Sequence, residues 1–334
     1  MPTQTEWKRS DFHYDLPEDL IAQKPAEPRD HARLLVYNRS TGETIDDYFY
    51  NLPSRLPEDT LLVLNNAKVD KARLQFGNKE VFVVRQFDPH TVEAMVRPGK
   101  KFRAGKTVAL TDQISAEVLD VTEEGLRRIR FNRAVTDACF DPHRLTPFPP
   151  YIKQDETLSD RYQTVFARTE GSKAAPTAGL HFTPQVFEQL DNKGIGRAEV
   201  TLHVGLGTFA PVKADRLEDH PMHAETYEID ETTVQQLNRA RHITAVGTTS
   251  ARTLEASVKE DGFHPEHAST DIFITPGYTF KAVDALLTNF HLPESTLLMM
   301  VCAFAGYEEM MELYRHAIRE RYRFYSFGDA MLIL

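Results

Sequence analysis

Between residues 68 and 150 the chain changes its period. KARLQF, VFVVRQF, TVEAMV, KTVALT, ISAEVLDV and LRRIRF are short runs rich in β-branched and aromatic residues that recur about every ten positions. Turn signals at Gly77-Asn78, Asp88-Pro89, Pro98-Gly99 and Gly125 separate them. Such spacing leaves no room for helices and predicts a small antiparallel β-barrel. On either side, strand-like runs such as 61–64 and 200–204 alternate with helical stretches. Thr183-Pro184 supplies an N-cap and a first-turn proline for a helix that runs through Leu190 and stops before Gly194. Ser295-Thr296 opens a long helical region into MMELYRHAIRERY. The expected fold is an α/β main domain, built from residues 1–67 and 151–334, with the small antiparallel β-barrel inserted at 68–150. HRLTPFPPYIK, with prolines at 147, 149 and 150, reads as the return linker.

A chain of 334 residues, 41% hydrophobic and 26% charged, is long enough for two cores and too apolar for disorder. Its longest strongly apolar run, 297–305, is about half of the roughly 20 residues that span a bilayer. No membrane partner is expected. The start, MPTQTEWKRSDF, is polar and lacks the apolar stretch of a secretory signal, which predicts a cytoplasmic protein. Cys139 and Cys302 stand far apart without a CxxC partner, so a disulfide framework and a cysteine zinc site are both unsupported.

The net charge of −10 argues against an anionic partner until it is divided along the chain. Residues 68–153 hold sixteen Lys and Arg against eleven Asp and Glu, whereas the rest holds twenty-three against thirty-eight. Within the basic part, RPGKKFRAGK carries Arg97, Lys100, Lys101, Arg103 and Lys106 and no acid. A solvated turn explains such a run, and contact with RNA phosphates is the sharper reading.

Four strings carry candidate chemistry. Gly205-Leu-Gly207-Thr208-Phe-Ala210 satisfies the form of a dinucleotide fingerprint after a strand-like run. Pro211 follows at once and no helix opens inside the motif, so the pyrophosphate site is missing and the glycines and Thr208 are read as backbone close to a ligand. GTTSARTLEA (247–256) follows a strand and begins a helix, where Ser250 and the first amides could hold an anion or merely cap. AAPTAGLHFT (174–183) reads as a pocket wall or a plain loop. RERYRFYSFGDAMLI interleaves arginines with aromatics that could stack a base or fill a core. His220-Pro-Met-His223 followed by Glu225 is too sparse for a catalytic metal, and no metal site is expected.

Nine strings taken together, among them LIAQKPAEPRDHARLLVYNR, RYQTVFARTEGSKAAPTAGLHFT, TLHVGLGTFAPV, HPMHAETYEI, GTTSARTLEA, TNFHLPESTLLMMVCAFAG and YRFYSFGDAMLI, closely resemble the S-adenosylmethionine:tRNA ribosyltransferase-isomerase family of queuosine biosynthesis. The resemblance runs in order from about Asp11 to the C-terminus. It implies transfer and isomerisation of the ribosyl group of S-adenosylmethionine onto 7-aminomethyl-7-deazaguanine at the tRNA anticodon, giving epoxyqueuosine-tRNA, adenine and methionine. It implies no resident cofactor, since S-adenosylmethionine is a co-substrate, and the expected partners are that tRNA and that donor, bound by a monomer.

Removing a proton from the ribose carbon beside the sulfonium gives a sulfur-stabilised ylide that can expel adenine, a step that needs a general base. Residue chemistry nominates His203 and His181 for this, with Glu225 or Asp329 as the assisting carboxylate. Pro176, Thr177, Gly179, Gly205, Gly207, Thr208, Thr248, Thr249, Ser250, Arg252, Asn289 and His291 are expected to line the donor or the modified base. Two departures from the family stand out: the hairpin between KARLQFG and VFVV is reduced to Asn78-Lys79-Glu80, and Val69-Asp70-Lys71 is unusual. Both are expected to alter RNA docking more than donor chemistry. Two rivals remain, a relative acting on a different RNA or a free deazapurine, and a non-catalytic RNA binder, which alone would not bind the donor.

Overall fold

The computed structural model describes residues 6–205 and 212–334. The strands in chain order are β1 (Arg33–Tyr37), β2 (Thr44–Tyr48), β3 (Thr60–Asn65), β4 (Ala67–Val69), β5 (Arg73–Phe76), β6 (Lys79–Gln86), β7 (Thr91–Arg97), β8 (Thr107–Ala109), β9 (Ser115–Val121), β10 (Arg127–Phe131), β11 (Arg144–Leu145), β12 (Thr169–Ser172), β13 (Gly196–Leu202), β14 (Glu225–Ile229), β15 (His242–Val246), β16 (Glu266–Thr270), β17 (Ala285–Asn289) and β18 (Ala330–Ile333). The α-helices are α1 (Leu52–Arg55), α2 (Pro184–Asn192), α3 (Glu231–Leu237), α4 (Gly247–Ser257), α5 (Thr296–Ala305) and α6 (Tyr307–Arg319). They form two compact units, one of Met1–Lys68, Pro149–Lys153 and Asp160–Leu334, the other of Val69–Phe148 and Gln154–Ser159.

In the larger unit nine strands form one mixed sheet in the order β16-β14-β13-β3-β15-β17-β18-β1-β2. Every residue of β3, TLLVLN, is buried, as required of a central strand covered on both faces. Its alternation divides two cores: Leu61 and Val63 pack with α4, α5 and α6, and Leu62 and Leu64 pack with α2. The Thr183 hydroxyl accepts from Val186 N–H at 3.3 Å to start α2, with Pro184 in its first turn, as the sequence predicts. The long helical region after Ser295 is instead broken into α5 and α6 at Gly306, whose φ of +99° lies outside helical space. On α6, Met310, Leu313, Tyr314 and Ala317 are buried at the three-and-four spacing of one face.

The smaller unit is a seven-stranded antiparallel sheet in the order β11-β5-β6-β7-β10-β9-β8. Val81, Val92, Ala94, Val118, Ile129 and Phe131 fill its core around Phe102. Irregular register between Val83 and Arg85 and between Arg128 and Ile129 bends the strands. Lys79 Nζ donates to the Ala109 carbonyl at 2.7 Å, which brings β8 beside the start of β6 and curls the sheet into a half-barrel. Phe76 pairs with Lys79, so the reduced hairpin is a two-residue turn through Gly77-Asn78. Residues 154–159, expected in the main domain, pack with the smaller unit instead. Glu156 accepts from the Thr146 amide at 2.9 Å and Gln154 Oε1 from Arg73 at 2.8 Å. Polar side-chain pairing of this kind leaves no periodic trace in a sequence.

Candidate active site

Four neighbouring strands of the large sheet, β13, β3, β15 and β17, run parallel. Their carboxyl ends therefore open along one edge, where open α/β sheets hold ligands. β18 runs antiparallel to β17 and so returns the preceding residues, Tyr325 and Ser326, to the same edge. A cleft of about 320 Å³ occupies that edge. Pro176, Thr177, Thr248, Thr249, Asn289 and His291 all line it, so residues from three separate strings are brought together at one cleft.

Side chains of the same strings hold the walls in place. Asn65, at the end of β3, donates to the Leu202 carbonyl at 3.0 Å and accepts from the Leu202 amide at 3.0 Å, extending the junction with β13 beyond the regular ladder. Ser172 Oγ accepts from Val204 N–H at 3.1 Å and donates to the Ala174 carbonyl at 2.7 Å, which ties two lining residues to each other. Thr177 Oγ1 donates to Asn289 Oδ1 at 2.8 Å, and Asn289 Nδ2 donates to His181 Nε2 at 3.3 Å.

That last bond places His181 behind Asn289 and outside the cleft lining. Burial lowers the His181 pKa to about 4, so its imidazole is neutral and acts as an acceptor that orients the amide. His291 does line the cleft, but burial pushes its pKa down to about 3, and Nε2 is bonded to Thr288 Oγ1 at 2.8 Å. His203 differs. It directly follows β13, its N–H donates to the Thr226 carbonyl at 2.9 Å, and it is half-buried next to Val204, which lines the cleft. Its ring lies against Gly171, whose φ is +125°; a Cβ there would stand 3.0 Å from His203 Cε1.

Both buried imidazoles have folded-state pKa values below the ordinary 6.5, so the unfolded chain binds their protons first as the pH falls. Their contribution to stability is complete above about pH 6.5. It is lost as the pH falls from there to about 4 for His181 and to about 3 for His291, at up to about 1.4 kcal/mol per pH unit for each. Urea unfolding at pH 7 and pH 5 should therefore differ by about 2–4 kcal/mol; equal stabilities would show that these imidazoles are not held neutral.

Glu225 and Arg252 form an ion pair with both side chains about 95% buried. Glu225 Oε1 also accepts from Gly205 N–H at 3.1 Å, so the carboxylate secures the chain just after β13. These three residues line a smaller pocket of about 30 Å³ beside Met222 and Met300.

Several expected site residues are placed otherwise. Asp329 is 2% exposed and its carboxylate is engaged by Arg323, at 3.0 Å, and by the amides of Arg33 and Arg323. It anchors the start of β18 and does not line the cleft. Gly179 is absent from the lining because its missing side chain makes room for Phe166 and Thr164, which a Cβ would approach to 2.7 and 2.9 Å. Ser250 spends its hydroxyl on the Val246 carbonyl at 2.8 Å. Gly207 and Thr208 lie outside the described residues. Arg97, Lys100, Lys101, Arg103 and Lys106 are all exposed on the smaller unit, and the last four share a shallow depression with Lys79.

Tyr151 and Phe290 line the cleft with no sequence signal pointing to them, and Tyr325 joins them from the aromatic run read as able to stack a base or fill a core. The aromatic run near the C-terminus divides: Tyr322, Phe324 and Phe327 fill the core, and Tyr325 turns to the cleft with a φ of +72°. A left-handed conformation at a tyrosine costs about 1–3 kcal/mol, and the surrounding fold has to impose it. No local signal announces it.

Fold and cleft define a mixed α/β protein with a cleft of small-molecule size at the carboxyl ends of parallel strands. Among the described residues no helix is long and apolar enough to cross a membrane. The family model described as queuosine biosynthesis protein matches residues 9–333. The chain is similar to proteins called S-adenosylmethionine:tRNA ribosyltransferase-isomerase from Caldanaerobacter subterraneus subsp. tengcongensis, at 49% identity over 98% of this chain and 100% of that one, and from Desulfitobacterium hafniense, at 46% over 98% and 100%. Its fold is similar to the crystal structure of the S-adenosylmethionine tRNA ribosyltransferase of Thermotoga maritima, with a TM-score of 0.58, 39% identity, and 97% of this chain and 100% of that one covered. The chain belongs to the queuosine biosynthesis protein family.

Proposed function

We propose that this protein is an S-adenosylmethionine:tRNA ribosyltransferase-isomerase. It transfers and isomerises the ribosyl group of S-adenosylmethionine onto 7-aminomethyl-7-deazaguanine in the tRNA anticodon, yielding epoxyqueuosine-tRNA, adenine and methionine. The observation that carries this reading is identity of nearly one half over 98% of the chain with a protein of that name. The cleft agrees with it, because its enclosed, partly aromatic lining suits a nucleoside. In this reaction His203 removes the proton next to the sulfonium. Asn289, oriented by Thr177 and His181, presents a fixed amide to the bound ligand.

The curled antiparallel sheet is, in this proposal, an inserted barrel-like domain that holds tRNA through its basic depression. Replacing Lys100, Lys101 and Arg103 together by alanine should weaken RNA affinity and reduce its salt slope by up to about 3. Unchanged affinity and slope would make the patch a solvated turn.

The deciding experiment incubates a deazaguanine-modified anticodon stem-loop with protein and S-adenosylmethionine and analyses the nucleosides by mass spectrometry. Epoxyqueuosine with matching release of adenine and methionine supports the proposal. Neither product from folded protein would overturn it.

A further inference from the structure

The first turn of α4 gathers backbone amides and a buried hydroxyl that lack acceptors among the described residues. Its N-cap position is Val246, whose side chain cannot cap, and among the described residues no acceptor is bonded to the amides of Gly247, Thr248 or Thr249. Thr249 is 7% exposed, and among the described residues its Oγ1 has no hydrogen-bond partner. A buried hydroxyl left unpaired is a cost that a bound acceptor removes. Gly247, with a φ of +87°, supplies the space: a Cβ there would stand 3.5 Å from Thr249 Oγ1 and 3.7 Å from Ala178 Cβ, so a side chain would fill the cradle between them.

Charge in the cleft points the same way. Among the described residues Arg9 is the one lysine or arginine that lines it, and Arg9 is already committed to Glu294 at 3.3 Å and to the Val212 carbonyl at 3.2 Å. Arg252, one turn further along α4, is held by Glu225. The positive end of the α4 dipole is therefore the unneutralised pole of the cleft. A tRNA phosphate would bring a bulky, strongly hydrated backbone into an enclosed space walled by Ala174, Ala178, Phe290 and Tyr325. A small carboxylate fits there.

We propose that the first turn of α4, with the Thr249 hydroxyl, binds the carboxylate of the methionine moiety of S-adenosylmethionine. This rests on the donor assignment above. It sets the direction of the donor in the cleft: the amino-acid end lies at α4, and the nucleoside extends toward Tyr151 and Tyr325.

The test is calorimetric binding of S-adenosylmethionine and of its decarboxylated analogue to wild-type protein and to Thr249→Val. Wild type should bind the decarboxylated compound at least about tenfold more weakly, since a charge-assisted contact is missing. Thr249→Val should lose about five- to tenfold in affinity for S-adenosylmethionine and less than twofold for the analogue. Equal losses for both compounds, or wild-type protein that does not distinguish them, would overturn the carboxylate site and leave the donor reading standing. A Thr249→Val variant that loses affinity for tRNA alone would also overturn it, by assigning the anion to RNA. Wild-type protein that binds neither compound would overturn the donor reading itself. The comparison of two ligands on wild-type protein needs no variant to fold.

Discussion

His203→Ala should lower single-turnover adenine release by about 10²–10⁴-fold, the range for removal of a general base, with S-adenosylmethionine binding retained. The expectation rests on the state of the other candidates. His181 and His291 are buried neutral imidazoles with pKa values of about 4 and 3, and each has its Nε2 in a hydrogen bond. A base that must become charged where charge is so disfavoured is a poor acceptor near neutral pH. Asp329 is saturated by Arg323 and two amides, and Glu225 is occupied by Arg252 and Gly205. His203 is half-buried, directly precedes the cleft-lining Val204 and stands against a glycine that leaves room for its ring. Gly171→Ala should produce a smaller loss in the same assay by displacing the imidazole. Adenine release within threefold of wild type for His203→Ala would remove it as the base.

The second large effect is on stability. Glu225→Ala or Arg252→Ala alone should lower the unfolding free energy by about 3–5 kcal/mol, because each leaves its partner's charge buried and uncompensated. The double replacement Glu225→Leu with Arg252→Met should recover most of that loss, since the pair's mutual attraction largely offsets its own desolvation. Urea unfolding monitored by circular dichroism measures both. A change below about 1 kcal/mol in either single variant would mean that water reaches the pair. Glu225 also holds the Gly205 amide, so Glu225→Gln, which keeps an acceptor there, separates lost charge from lost positioning.

Much of the architecture is legible because it repeats. The continuous apolar run at 61–64 and the cap at Thr183 report directly on strand and helix, and both are found where expected. Gly306 is the local counterexample. Its positive φ divides a region whose apolar spacing alone reads as continuous helix. The strings quoted for the family also meet in space, since Pro176, Thr177, Thr248, Thr249, Asn289 and His291 all line one cleft. Their individual duties are not. Ser250 and Thr249 are neighbouring hydroxyls in one string, yet one bonds the carbonyl four residues back and the other has no partner among the described residues. That choice is made by rotamer and packing, which composition does not encode.

The sequence by itself determined the class of elements, the position of the basic segment and, through strings spread over its whole length, the family. These depend on periodicity and on residue identity, which are local. Only the tertiary structure decided that Asp329 anchors a strand, that His181 orients Asn289 and that Tyr325 turns toward the cleft while Tyr322 and Phe324 fill the core. Each of these depends on burial and on partners more than 30 residues away or on an imposed backbone angle, apart from the six-residue Arg323–Asp329 pair. Burial sets whether a polar group is charged, bonded or available, and burial is a property of the folded chain.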